Sequence, residues 1–77
     1  MSLNDQITAA IAEAIPGAEI NVSGGGGHFE IHVVSEQFAG KRIIQKHRLV
    51  LTAIKELMAG DNAPVHAIDK LVCDVPN

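Results

Sequence analysis

Aromatic residues are scarce in this 77-residue chain, which has no tryptophan, no tyrosine and two phenylalanines. Because single-stranded nucleic acid is usually bound by stacking on exposed aromatic rings, this composition argues against a stacking platform. The one cysteine, Cys73, cannot form an internal disulfide and fits a reducing compartment. No apolar run reaches the roughly 18 residues of a membrane span, and the first residues do not resemble a secretory leader. We therefore predict one cytoplasmic domain covering residues 1–77.

Charge is unevenly spread along the chain. The net charge is −3, yet four of the basic residues lie in one short stretch: Lys41, Arg42, Lys46 and Arg48. Such a stretch is typical of a solvated helix start, and it also fits a contact surface for an anionic partner. The acidic total argues against general DNA or RNA binding.

The longest apolar periodicity runs through residues 43–58. Its helical spacing predicts an amphipathic helix that buries one stripe, with Gly60 as the stop signal. His47 lies within this stripe, which predicts a core histidine bonded to backbone. Leu49 lies off the stripe and is interpreted as an exposed apolar residue or a partner contact. The predicted stripe contains Ile43, Ile44, Val50, Leu51, Ile54, Leu57 and Met58.

The remaining segments predict a small α+β domain. Ser2 can cap a first helix that ends at Pro16. Alternating apolar and polar residues predict strands at 19–23 and 28–34, joined by four glycines, and a last strand at 65–75 after a loop at 61–64. A right-handed crossover through the long helix makes the second and third strands parallel. We expect a three-stranded mixed sheet with both long helices on one face and a more polar second face.

Few residues in this sequence are arranged for chemistry. The glycine run precedes a strand rather than a helix, which excludes a phosphate-binding loop. It forms instead a flexible hairpin loop that ends at His28, which can bind a metal if a second ligand approaches. His66, considered alone, favours a structural role, and Cys73 favours a buried strand position. Without a Ser-His-Asp set or a fixed pair of carboxylates, we predict that the protein is not an enzyme.

Three segments together resemble the BolA family. They are V-S-G-G-G-G-H-F, then S-E-Q-F-A-G-K-R-I-I-Q-K-H-R-L-V, and finally V-H-A-I. The resemblance covers roughly residues 3–73. The segment V-S-G-G-G-G-H-F is similar to the shorter bacterial branch of the family, which is linked to acid resistance. It implies the fold αββααβ, similar to a class II KH domain, in agreement with the order of elements predicted from periodicity.

The resemblance implies a heterodimer with a monothiol glutaredoxin of the CGFS type that shares a [2Fe-2S] cluster. The glutaredoxin and its glutathione would supply thiolates, and this chain would supply His66 of its V-H-A motif. Some members add a loop cysteine or histidine, here His28; the loop cysteine lies near Gly25 in those members and is missing here. Alone, the protein would hold no cluster and would be a monomer or weak homodimer. The expected partner contacts are Lys41, Arg42, Lys46, Arg48 and Leu49.

Two alternatives remain open. The first is a KH-like DNA-binding transcriptional regulator of a stress response, in which the same basic residues meet phosphates. Against it stand the acidic total, the few aromatics and the lack of a G-x-x-G between two helices. The second is an interaction domain that binds its partner without metal.

Overall fold

The structure is a computed structural model that describes residues 2–59 and 63–76. The described residues form α1 (Leu3–Ala14), β1 (Glu19–Gly25), β2 (His28–Val34), a short 3-10 turn (Glu36–Phe38), α2 (Ile43–Ala53), α3 (Lys55–Met58) and β3 (Ala67–Asp74). The predicted order is therefore confirmed. The predicted stop at Gly60 and the first two residues of the loop at 61–64 lie outside the described residues.

Local signals account for the start of α1. The Ser2 hydroxyl oxygen accepts a hydrogen bond from the backbone N–H of Asp5 at 3.1 Å, as an N-terminal cap should. Ile7, Ile11 and Ile15 then recur at helical spacing and are completely buried. Together the cap and the stripe fix both the start of the helix and the face that it buries.

The sheet has the predicted mixed topology. Its order is β1-β2-β3, with β1 antiparallel to β2 and β2 parallel to β3. Phe29, Ile31 and Val33 of the central strand point into the core with the buried residues of the helices. The alternate residues of β2, His28, Glu30 and His32, are exposed. The helices therefore cover one face of the sheet, and the other face is open and polar.

Both phenylalanines are buried in the core, with Phe29 2% exposed and Phe38 0% exposed. No aromatic ring of phenylalanine, tyrosine or tryptophan is therefore left on the described surface for base stacking, as the composition predicted. None of the described helices has the length and apolarity to cross a membrane.

Two details of the long predicted helix are wrong. The helix is interrupted at Ile54, where α2 gives way to the short α3. The Leu57 carbonyl accepts a hydrogen bond from the backbone N–H of Val65 at 3.1 Å, which ties the end of α3 to the approach to β3. At the other end, Ile43 and Ile44 are 71% and 56% exposed rather than buried. Periodicity predicts which side of a helix faces the core, but not how far along the helix the core extends.

Candidate functional site

His66 lies at the start of β3, where the parallel pairing brings it to the hairpin between β1 and β2. The carbonyl of Gly27 accepts hydrogen bonds from the backbone N–H groups of His66 at 2.8 Å and Ala67 at 3.0 Å. The His66 ring lies directly over the Cα of Gly27, where a Cβ would clash with the ring carbons. Because His66 is exposed, its ring is both positioned and accessible.

The glycine run is divided between strand β1 and the hairpin turn. Gly24 and Gly25 belong to β1, which the sequence predicted to end two residues earlier. Gly26 and Gly27 form the turn, with φ of +64° and +87°, and positive φ at both central residues is the signature of a type I′ hairpin. Gly27 is buried beneath His66. The run therefore builds a tight turn that carries a histidine.

His28 is the first residue of β2 and faces the open side of the sheet. Its Nδ1 lies 3.1 Å from Oδ1 of Asp69, and the two side chains are 59% and 55% exposed. Since His28 pairs with Ala67 in the register, it lies one position along from the backbone contact between Gly27 and His66. The fold therefore brings the two predicted metal ligands, His66 and His28, to the same end of the sheet.

A second histidine–aspartate pair lies at the opposite end of the same strands. Nε2 of His32 is 2.8 Å from Oδ2 of Asp74, with side chains 46% and 57% exposed. Neither Asp69 nor Asp74 was singled out from the sequence. Each follows from cross-strand register, for which a single sequence carries little signal.

No complete metal site exists within residues 2–59 and 63–76, because no three His, Cys, Asp or Glu side chains there are grouped to hold an ion. Cys73 is buried on the helix-covered side of the sheet, as predicted. Burial raises the pKa of its thiol, and metals bind the thiolate form. Among the described residues, the end of the sheet that carries the Gly26–Gly27 turn, the loop end, therefore offers imidazole but no thiolate.

The predicted contact residues divide between two sides of α2. Leu49 is half-buried rather than freely exposed, because it packs against the core. It also lines a groove between α1 and α2. Lys46 and Arg48 are two residues apart, about 200° around the helix, so they point in nearly opposite directions. Arg42 is exposed at the start of α2, where its backbone N–H donates to Gln45 at 3.0 Å. The groove is lined by Ala14, Lys41, Gln45, Arg48, Leu49, Thr52 and Ala53.

Comparison with known protein families shows to which family this chain belongs. A family model described as BolA-like protein matches residues 7–73. The chain belongs to the BolA family. Among BolA relatives, the acid stress protein IbaG of Escherichia coli is 34% identical over 84% of this chain and 75% of that protein. Protein BOLA2 of Arabidopsis thaliana is 55% identical over 51% of this chain, and the match spans 43% of that protein, less than half of its length.

Solved BolA structures share the fold. The solution structure of BolA1 from Mus musculus has a TM-score of 0.72 and 35% identity, covering 99% of this chain and 67% of that one. BolA1 from Arabidopsis thaliana has a TM-score of 0.83 over 99% of this chain and 94% of that one, at 19% identity, which is a likeness of fold alone. The family and the α+β architecture predicted from the sequence are both confirmed.

Proposed function

We propose that this BolA-like protein is a non-catalytic adaptor that binds a CGFS monothiol glutaredoxin and shares a [2Fe-2S] cluster with it. His66 is the iron ligand from this chain, and His28 is the second candidate. The observation that carries the proposal is the exposed imidazole of His66, seated over the Gly27 turn at the same end of the sheet as His28.

The donor set of the described residues fits a shared cluster rather than one held by this chain alone. The loop end offers imidazole but no thiolate, since Cys73 is buried on the other side of the sheet. The partner and its glutathione therefore supply thiolates, and the cluster supplies an iron to which His66 can bind. Imidazole in place of thiolate on one iron raises the potential of such clusters.

The backbone at the turn favours this role for His66 because it reduces the freedom of the ligand. Two hydrogen bonds to the Gly27 carbonyl fix the start of β3, and the ring contact with Gly27 restricts the side chain. A ligand already held in position loses less conformational entropy when it binds. The groove beside Leu49, with Lys41 and Arg48 at its border, is a second surface for an acidic segment of the partner.

The test is a titration of this protein into a [2Fe-2S]-loaded monothiol glutaredoxin, followed by visible absorbance and circular dichroism. We expect the wild-type protein to change the spectrum and His66→Ala to abolish that change. His28→Ala reports whether the loop supplies a second ligand. The matched control is His32→Ala, which removes an exposed histidine from the far end of the same strand.

A spectrum that stays constant with the wild-type protein would show that cluster sharing is wrong for this chain. Calorimetry with the cluster-free glutaredoxin then tests association without metal. DNA binding is tested through the salt dependence of affinity, because several phosphate contacts require a steep fall with increasing salt.

A further inference from the structure

The carboxylate of Asp69 lies beside His28 because β3 contains a bulge. Phe29 pairs with Ile68, but the next residue of β2, Glu30, pairs with Lys70, so Asp69 has no partner of its own in the register. The sequence of β3 explains the shift. Ile68 and Leu71 both pack against the core although they are three residues apart, and strict alternation cannot place both on one face. One extra residue restores the alternation, and that residue is Asp69.

The hydrogen bond between Asp69 and His28 selects one nitrogen of the imidazole. A carboxylate only accepts hydrogen bonds, so Nδ1 of His28 carries the proton that it donates to Oδ1 of Asp69 over 3.1 Å. In a neutral imidazole the lone pair is then on Nε2, the nitrogen at the far end of the ring. Metal-bound histidines commonly have this arrangement, in which a carboxylate holds the second nitrogen.

We propose that Asp69 is a positioning residue that holds His28 in the tautomer whose Nε2 can bind iron. This inference depends on the proposed function and adds a specific role for a residue at the β3 bulge. Asp69 itself does not bind the iron. It fixes the tautomer and restricts the ring, so that His28 can act together with His66.

The second pair shows that this arrangement is specific to the loop end. In the His32–Asp74 pair, the carboxylate lies 2.8 Å from Nε2. The nitrogen that remains for a metal is then Nδ1, which is closer to the backbone. His32 is also four residues further along β2, which is about 13 Å away. Asp74→Ala is therefore a matched control for Asp69→Ala, since both remove an exposed carboxylate from an exposed histidine.

The first arm of the experiment needs no cluster. In the isolated 15N-labelled protein at about pH 8, where an ordinary imidazole is neutral, long-range 1H–15N correlation spectra identify the tautomer of each histidine. We expect His28 to carry its proton on Nδ1 and to lose that preference in Asp69→Ala, but not in Asp74→Ala. Unchanged His28 nitrogen shifts in Asp69→Ala would overturn the inference.

The second arm measures how fast the cluster is lost from the complex with the glutaredoxin. We expect Asp69→Ala to shorten the half-time about tenfold, at the lower end for loss of a residue that orients a metal ligand. In a His28→Ala background the same substitution should change nothing further. An equal effect with and without His28 overturns the role of Asp69 and leaves the adaptor proposal intact. If the wild-type protein forms no cluster-bound complex with the glutaredoxin, both the adaptor proposal and the role of Asp69 are overturned.

Discussion

Two histidine–aspartate pairs lie on the open face of the sheet, at opposite ends of β2, and only one of these ends also carries the Gly27 turn and His66. Both pairs are about half exposed and both join β2 to β3. At the loop end, the Gly27 carbonyl holds the start of β3 at His66, one position along from His28, whereas the far end carries the His32–Asp74 pair. Neither end groups three His, Cys, Asp or Glu side chains among the described residues. The difference shows that the fold can give two similarly exposed histidines of one strand different neighbours.

The largest expected effect comes from the turn that creates the loop end. Gly27→Ala should lower the free energy of unfolding by about 3 kcal/mol, because alanine is strained at positive φ and its Cβ clashes with His66. Urea denaturation measures this cost. Gly26→Ala has positive φ but open space around its Cβ, so it should cost only about 1–2 kcal/mol. Equal costs at the two positions would show that the ring contact with Gly27 contributes nothing.

The next effect would restore a ligand at the loop end by a different route. Gly25 pairs with His28 across the hairpin, and a Cβ at Gly25 meets no atom within 4 Å. Gly25→Cys should therefore fold normally and place a thiol beside the same site. We expect His28→Ala to shorten the half-time of cluster loss by about tenfold or more, at least as much as Asp69→Ala does. In that background this cysteine should restore the half-time, measured by the decay of visible absorbance. Gly25→Ser in that background is the control and should regain nothing.

A smaller effect is expected when the far end is disrupted. His32→Ala or Asp74→Asn should lower the free energy of unfolding by less than about 1 kcal/mol, because solvent screens pairs that are about half exposed. Neither substitution should alter the visible spectrum of the complex. A spectral change equal to that of His28→Ala would mean that the two ends do not differ in function.

The smallest effect concerns Cys73, which precedes Asp74 in β3 and faces the helix-covered side of the sheet. Burial raises the pKa of Cys73 above its ordinary value of 9.0, so the thiolate forms more readily in the unfolded chain. Stability should therefore fall as the pH rises past 9.0, and Cys73→Ala should weaken that fall. Urea denaturation of both proteins at pH 8 and at pH 10 provides the measurement. An identical pH dependence in the two proteins would contradict the burial of this thiol.

Much of the fold could be predicted because it depends on local patterns. The Ser2 cap, the alternation in β2 and the apolar spacing in α1 each act within a few residues, and each is present in the structure. The exposed first turn of α2 and the break at Ile54 were not predicted. Both depend on where the core ends and on how β3 returns to the sheet, which are contacts between residues distant in the sequence.

The candidate site divides in the same way. His66 and His28 could be named from motif and loop position, but nothing in their sequence separation indicates that they share one end of the sheet. The sequence signal for the bulge in β3 was limited to two adjacent polar residues, Asp69 and Lys70, within an otherwise apolar strand. Its consequence, a carboxylate on Nδ1 of His28, requires the register between strands far apart in the chain.

The sequence by itself determined the family, the order of the elements and which residue types were available, because motif, periodicity and composition are local properties of the chain. The tertiary structure alone decided that the Gly27 turn supports His66 and that Asp69 meets His28. These are long-range outcomes of strand pairing and packing, in which a shift of one residue in register reverses the face on which every side chain lies.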